Sequence, residues 1–154
     1  MSKANINTQN SDCTIGISAY KHTRNLCLIR KINGTPVQEM TVEVHDFLPF
    51  NYAVADTKFL PEFVRECFEG TGLGREVLKY YQDGIEYPVY EINMDILKEW
   101  ALSDYADYLT IRAERPCFWL TKEEIAEKMK QVQADIISRK CTRANNVVHE
   151  SLYR

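Results

Sequence analysis

The chain has 154 residues, 45% of them apolar and 27% charged, and a net charge of −3. This is the size and balance of one ordinary globular domain, able to bury roughly two-thirds of its unfolded surface without a staple. Its apolar runs are far shorter than the roughly 20 residues that span a bilayer, so no membrane segment is expected.

Residues 1–11 are polar and Asn-rich and read as a disordered arm ahead of a single domain, residues 12–141. Three strands are expected next. Ile15, Ile17 and Ala19 alternate with smaller or polar residues, Leu26 to Lys31 is mostly apolar, and Val37 to Asp46 alternates Met40, Val42 and Val44 with Glu39, Thr41 and Glu43. A period of two marks half-buried strands, and Asn33-Gly34 is a hairpin signal, so the N-terminal third reads as an antiparallel meander. After a loop at 46–52, Phe59 to Glu69 reads as a helix with Phe63, Val64, Cys67 and Phe68 on one face and Gly70 as its stop.

Leu73, Val77, Leu78 and Tyr81 suggest a second short helix ending at Asp83-Gly84. Ile85 to Ile92 looks extended, with Pro88 pointing to an edge strand or bulge. A third helix starts near Asp95, capped by Asn93. Leu109, Ile111 and Ala113 alternate with polar residues as a strand would, with Cys117 to Leu120 as its extension beyond Pro116. The last helix has the plainest signature: Thr121 and Glu124 form a capping box, Leu120 staples to Ile125, and Met129, Val132 and Ile136 continue one apolar face to about Lys140. Residues 142–154 read as a polar tail. The fold class is α+β: a small antiparallel sheet, the N-terminal meander plus later strands, packed with three to four helices.

Chemistry-bearing motifs are weak. Five cysteines are scattered without a CxxC pair, and no basic-then-apolar leader opens the chain, which favours reduced thiols and a cytoplasmic location. The three histidines are isolated, so no metal and no cofactor are expected, and Glu62, Glu66 and Glu69 read as a solvated acidic face. Gly70-Thr71-Gly72-Leu73-Gly74-Arg75 suggests an anion site on Gly72, Gly74 and Arg75 for a phosphorylated or nucleotide ligand, small enzyme or binder. Dinucleotide motifs, however, follow a strand and open a helix, whereas these glycines separate two expected helices. A nucleic-acid module would use Lys21, Arg24, Arg30 and Lys31 of the first hairpin and Arg139, Lys140 and Arg143 of the last helix.

Charge is polarised along the chain. Residues 1–38 carry five Lys/Arg against Asp12, residues 39–107 carry 15 Asp/Glu against five Lys/Arg, and residues 108–154 carry nine Lys/Arg against six Asp/Glu. The acidic middle segment also holds most of the nine tyrosines. Tyrosine gives large contact area with a polar handle, which suits interfaces. The expectation is therefore a small regulatory, inhibitory or assembly protein that contacts a protein partner through Tyr80, Tyr81, Glu86, Tyr87, Tyr90 and Glu91. Opposite-charge faces or the last helix would permit a homo-oligomer.

Overall fold

The computed structural model describes residues 13–58, 61–114 and 119–153, the side chains of 61, 63 and 140–153 excepted. The N-terminal arm and Cys117-Phe118 lie outside these residues.

The meander forms as the alternation predicts: β1 (Cys13–Ala19), β2 (Leu26–Ile32) and β3 (Thr35–Glu39) pair antiparallel in the order β1-β2-β3. Asn33 and Gly34 take φ of 51° and 80°, the left-handed pair that a two-residue hairpin requires. The third strand is shorter than its alternation implied. Pairing with β2 stops at Glu39, and the chain then crosses to a second sheet, with Thr41 bridging Ala55. Met40 still donates to Leu28 O (2.8 Å), while Val42 donates to Val54 O (2.8 Å), so residues 40–42 stitch the two sheets together.

The second sheet has the order β4-β6-β5, from β4 (Tyr52–Val54), β5 (Gly74–Gln82) and β6 (Ile85–Ile92). The helix expected over Leu73 to Tyr81 is thus a strand. A β-bulge between Glu76 and Leu78 inserts Val77 out of step, and this slip gives a two-residue alternation the look of helical spacing. Asp83-Gly84 is the hairpin turn between β5 and β6, with φ of 52° and 77°, and ends no helix. Nor is β6 an edge strand, despite Pro88. The Pro88 carbonyl accepts from Ala55 N (3.0 Å), so its missing N–H faces the flank where β4 has just ended.

Between β4 and β5, α1 (Pro61–Arg65) runs into a π-helical turn at Glu66–Gly70 that buries Cys67 and Phe68. The glycine stretch therefore joins a helix to a strand, not two helices. The next helix, α2 (Met94–Trp100), begins where expected, with Asn93 Oδ1 accepting from Asp95 N and Ile96 N. The segment around Leu109, Ile111 and Ala113 is helical: α3 spans Leu102–Glu114 and packs along β1. Its inward face is built from Tyr105, Tyr108 and Arg112, while Leu109 and Ala113 point outward, so polar or amphipathic residues carry the helical period. The Asp104 carboxylate accepts from Ile17 N on β1 (3.0 Å), and Arg112 donates to Arg24 O (3.0 Å) and Leu48 O (2.8 Å) beneath the Trp119 ring.

The capping box forms at the start of α4 (Lys122–Tyr153): Glu124 N donates to Thr121 Oγ1 (3.2 Å) and Thr121 N to Glu124 Oε1 (3.4 Å). The helix is continuous and runs well beyond Lys140. Two cores result. Sheet β1-β2-β3, the π-helical turn and α3 enclose one with Tyr90, Ile92 and Ala53, whereas Ile125 and Met129 of α4 close the other over Tyr80, Val89 and Val54. The second sheet stands between them, and β6 feeds alternate side chains to each. Among the described residues, two antiparallel sheets and four α-helices, the last of them long, make the α+β fold.

Candidate interaction surface

The six residues singled out for a partner all lie on β5 and β6, but they divide by burial. Tyr80, Tyr87 and Tyr90 are 3%, 6% and 4% exposed, so their rings serve the two cores. Tyr80 donates its hydroxyl to Asp46, which also pairs with Lys128 of α4, and burial pushes the Tyr80 phenol well above its ordinary range. Tyr90 stacks on Phe68 at 4.7 Å between ring centres, and burial, with Glu69 and Glu76 nearby, pushes it up to about 12. The accessible members are Tyr81, Glu86 and Glu91. Tyr81 is raised by its hydrogen bond to the Glu86 carboxylate, then by burial, and Glu91 pairs across the strands with Arg75 (3.0 Å).

Two cavities flank the hairpin. One, about 410 Å³, is lined by Arg65 and Glu69 of the α1–π segment and by Glu76, Lys79, Glu86 and Tyr90 of the strands. The other, also about 410 Å³, lies between the hairpin and α4, among Leu78, Tyr81, Ala126, Met129, Lys130 and Gln133. Lys79 and Glu86 line both, so the two cavities are neighbouring lobes of the grooved surface around the hairpin. At its α4 end the Tyr81 N–H points to Met129 Sδ (3.3 Å), so the helix covers part of the β5 edge. Charges in the first lobe are largely matched, Arg65 with Glu69 (3.8 Å) and Lys79 with Glu76. Lys130 has no ion-pair partner among the described residues.

The α4 wall of this groove was not readable from sequence. Its residues lie some fifty positions from the hairpin, and Ala126, Lys130 and Gln133 carry no local motif. The only available signal was their recurrence at helical spacing beside the recognised apolar face.

Glycines 72 and 74 border a separate cavity of about 350 Å³ with Arg75, Glu91 and Asn93. Arg75 gives both Nε and Nη2 to Glu91, and the Asn93 oxygen is taken by the α2 cap. The glycines have local reasons: Gly72 holds φ of 76°, and a Cβ on Gly74 would sit 3.1 Å from Ile92 Cδ1. A carboxylate beside Arg75 works against an anion there.

The basic residues considered for nucleic acid fall on different layers. Lys21, Arg24, Arg30 and Lys31 belong to the β1–β2 hairpin, whereas Arg139 is on α4, which packs chiefly on β5; the side chains of Lys140 and Arg143 lie outside the described residues. Among the described residues no three His, Cys, Asp or Glu side chains converge as metal ligands, and no helix is long and apolar enough to cross a membrane. Cys13, Cys27 and Cys67 are buried free thiols, and burial pushes Cys67 up to about 12.

In comparisons with known proteins, the chain matches no protein-family model, no curated protein and no solved structure.

Proposed function

We propose that this protein acts by binding: a small regulatory, inhibitory or assembly protein that takes a protein partner in the groove along the β5–β6 hairpin. The observation that carries this reading is the pair of neighbouring cavities around the hairpin, which share Lys79 and Glu86, with Tyr81 on the wall of the one beside α4. The lining mixes charged groups with the apolar surfaces of Leu78, Ala126 and Met129. That suits the side chains of a partner segment better than an enclosed small molecule. Tyr81 brings contact area with a polar tip, and the Met129 thioether adapts to irregular apolar shapes. A cytoplasmic setting goes with this reading, since Cys13, Cys27 and Cys67 are kept as free thiols.

The test is site-specific photocrosslinking in the expressing cell. A benzophenone amino acid replaces Tyr81 in one sample and Val37, exposed on the free edge of the first sheet, in the other. The expected result is a discrete adduct from the Tyr81 position that Glu86→Lys removes while the thermal midpoint is unchanged. Equal adducts from both positions, or an adduct indifferent to Glu86→Lys, refute the groove.

A further inference from the structure

We propose that Met129 is a site of reversible oxidation, and that its sulfoxide closes the lobe beside α4 to a partner. This rests on the groove being a binding site and adds how that site is controlled.

Two observations meet at this sulfur. Met129 Sδ stands 3.3 Å from Tyr81 N, on β5, the outer strand of its sheet. The same side chain lines the cavity of about 410 Å³ between the hairpin and α4, with Leu78, Ala126, Lys130 and Gln133. A thioether sulfur has two lone pairs. One meets the Tyr81 N–H, and the other is left for an oxidant. Met129 is only 5% exposed, but the cavity has room for several molecules the size of water, and hydrogen peroxide is little larger. Met40 supplies the contrast, since it is 0% exposed within the first core. Met94, half-buried on α2 against that same core, is accessible but away from the groove.

The step is an oxygen transfer from hydrogen peroxide. The second sulfur lone pair attacks one peroxide oxygen, the O–O bond breaks, an S–O bond forms, and the displaced oxygen leaves with both protons as water. Sulfur gives up two electrons and the peroxide takes them. A thiol-dependent sulfoxide reductase removes the oxygen again. The product carries a polar oxygen where the thioether was apolar. The second core around it, Ile125 and Val89 included, offers that oxygen no donor, and burying it there is costly. It turns into the cavity instead, where Lys130 and Gln133 carry N–H groups. There it replaces an adaptable apolar surface with a fixed dipole and fills space that a partner's apolar side chain would occupy.

The test treats the purified full chain with limiting hydrogen peroxide and follows each methionine by peptide mass spectrometry. Met129 is expected to gain one oxygen at least tenfold faster than Met40, with the circular dichroism spectrum unchanged and the Tyr81 amide resonance shifted. The chain carrying benzophenone at position 81 is then oxidised, freed of peroxide and returned to an extract of the expressing cell. Its adduct is expected to fall about tenfold and to return after treatment with a methionine sulfoxide reductase. Met94→Leu should lose its adduct on oxidation as wild type does. Any adduct that Met129→Leu forms should be indifferent to peroxide, leucine being close to methionine in volume. Met129 reacting no faster than Met40, or an adduct lost from Met129→Leu as readily as from wild type, overturns the inference. Oxidised Met129 with the adduct at full yield also overturns it, and leaves the groove reading standing. No adduct from the unoxidised chain overturns the groove reading and this control of it together.

Discussion

Thr41 is where the first sheet hands over to the second, and its replacement by valine isolates one hydroxyl. Its Oγ1 accepts from Leu28 N (3.2 Å) and shares a hydrogen bond with the Tyr20 hydroxyl (2.8 Å), all three groups being buried. Because β3 ends at Glu39, no strand carbonyl lies opposite Leu28 N, and the threonine side chain takes that place. Valine fills the same volume and offers no acceptor. The Leu28 N–H is then buried without a partner, at a cost of about 1–3 kcal/mol, while the Tyr20 hydroxyl keeps its longer bond to Glu39 (3.3 Å) and loses less. The expected loss is about 2–3 kcal/mol in urea unfolding, or about 5–10 °C in thermal midpoint for a chain this size. Thr41→Ser keeps the hydroxyl and removes one methyl, with an expected loss near 1 kcal/mol. Equal losses for the two variants would show that methyl packing, and not the hydroxyl, holds this crossing, and the reasoning would fail.

Other outcomes follow from the same physics. Gly84→Ala places a Cβ at φ of 77° with nothing within 4 Å, so it should cost about 1–2 kcal/mol from backbone strain alone in a denaturant titration. Asn93→Ala removes the acceptor for Asp95 N and Ile96 N and should destabilise by about 1 kcal/mol in the same assay. Tyr20, Tyr80, Tyr90 and Tyr108 are all held neutral by burial, Tyr90 up to about 12. Their contribution is complete below the ordinary phenol value near 10 and is lost as pH rises through the folded values, so the urea midpoint should fall steadily above pH 10. A flat midpoint from pH 10 to 12 contradicts this. Cys67, raised to about 12, is almost wholly protonated at pH 8, so iodoacetamide should label it only in denaturant, as read by mass spectrometry.

The elements that were legible in sequence had their signals in adjacent residues. The Asn33-Gly34 turn, the Asn93 cap and the Thr121–Glu124 box each encode a boundary within a few positions. Misreadings arose where tertiary context reassigns a pattern. One extra residue at Val77 shifted β5 out of period two, and the inward face of α3 used Tyr108 and Arg112, which a hydrophobic pattern does not mark. Pro88 looked like an edge signal because sequence alone does not tell which flank its absent donor faces. For the surface, the β5–β6 segment was identifiable from its tyrosines and acids, but which rings point inward depended on a strand with a core on both sides. The opposing wall on α4 is set by packing over a long sequence separation, a relation that composition does not carry.

Placing β6 between two cores also has a dynamic consequence. Freeing β6 uncovers both cores, so the strand couples the two halves into one cooperative unit. Its amides, at Tyr87 and at Val89 through Ile92, should exchange with deuterium only through global opening, at the free energy of complete unfolding. Those of β3, on the free edge of the first sheet, should exchange through local fraying. A chain with two cores would then melt in a single transition, because loss of the strand they share exposes both.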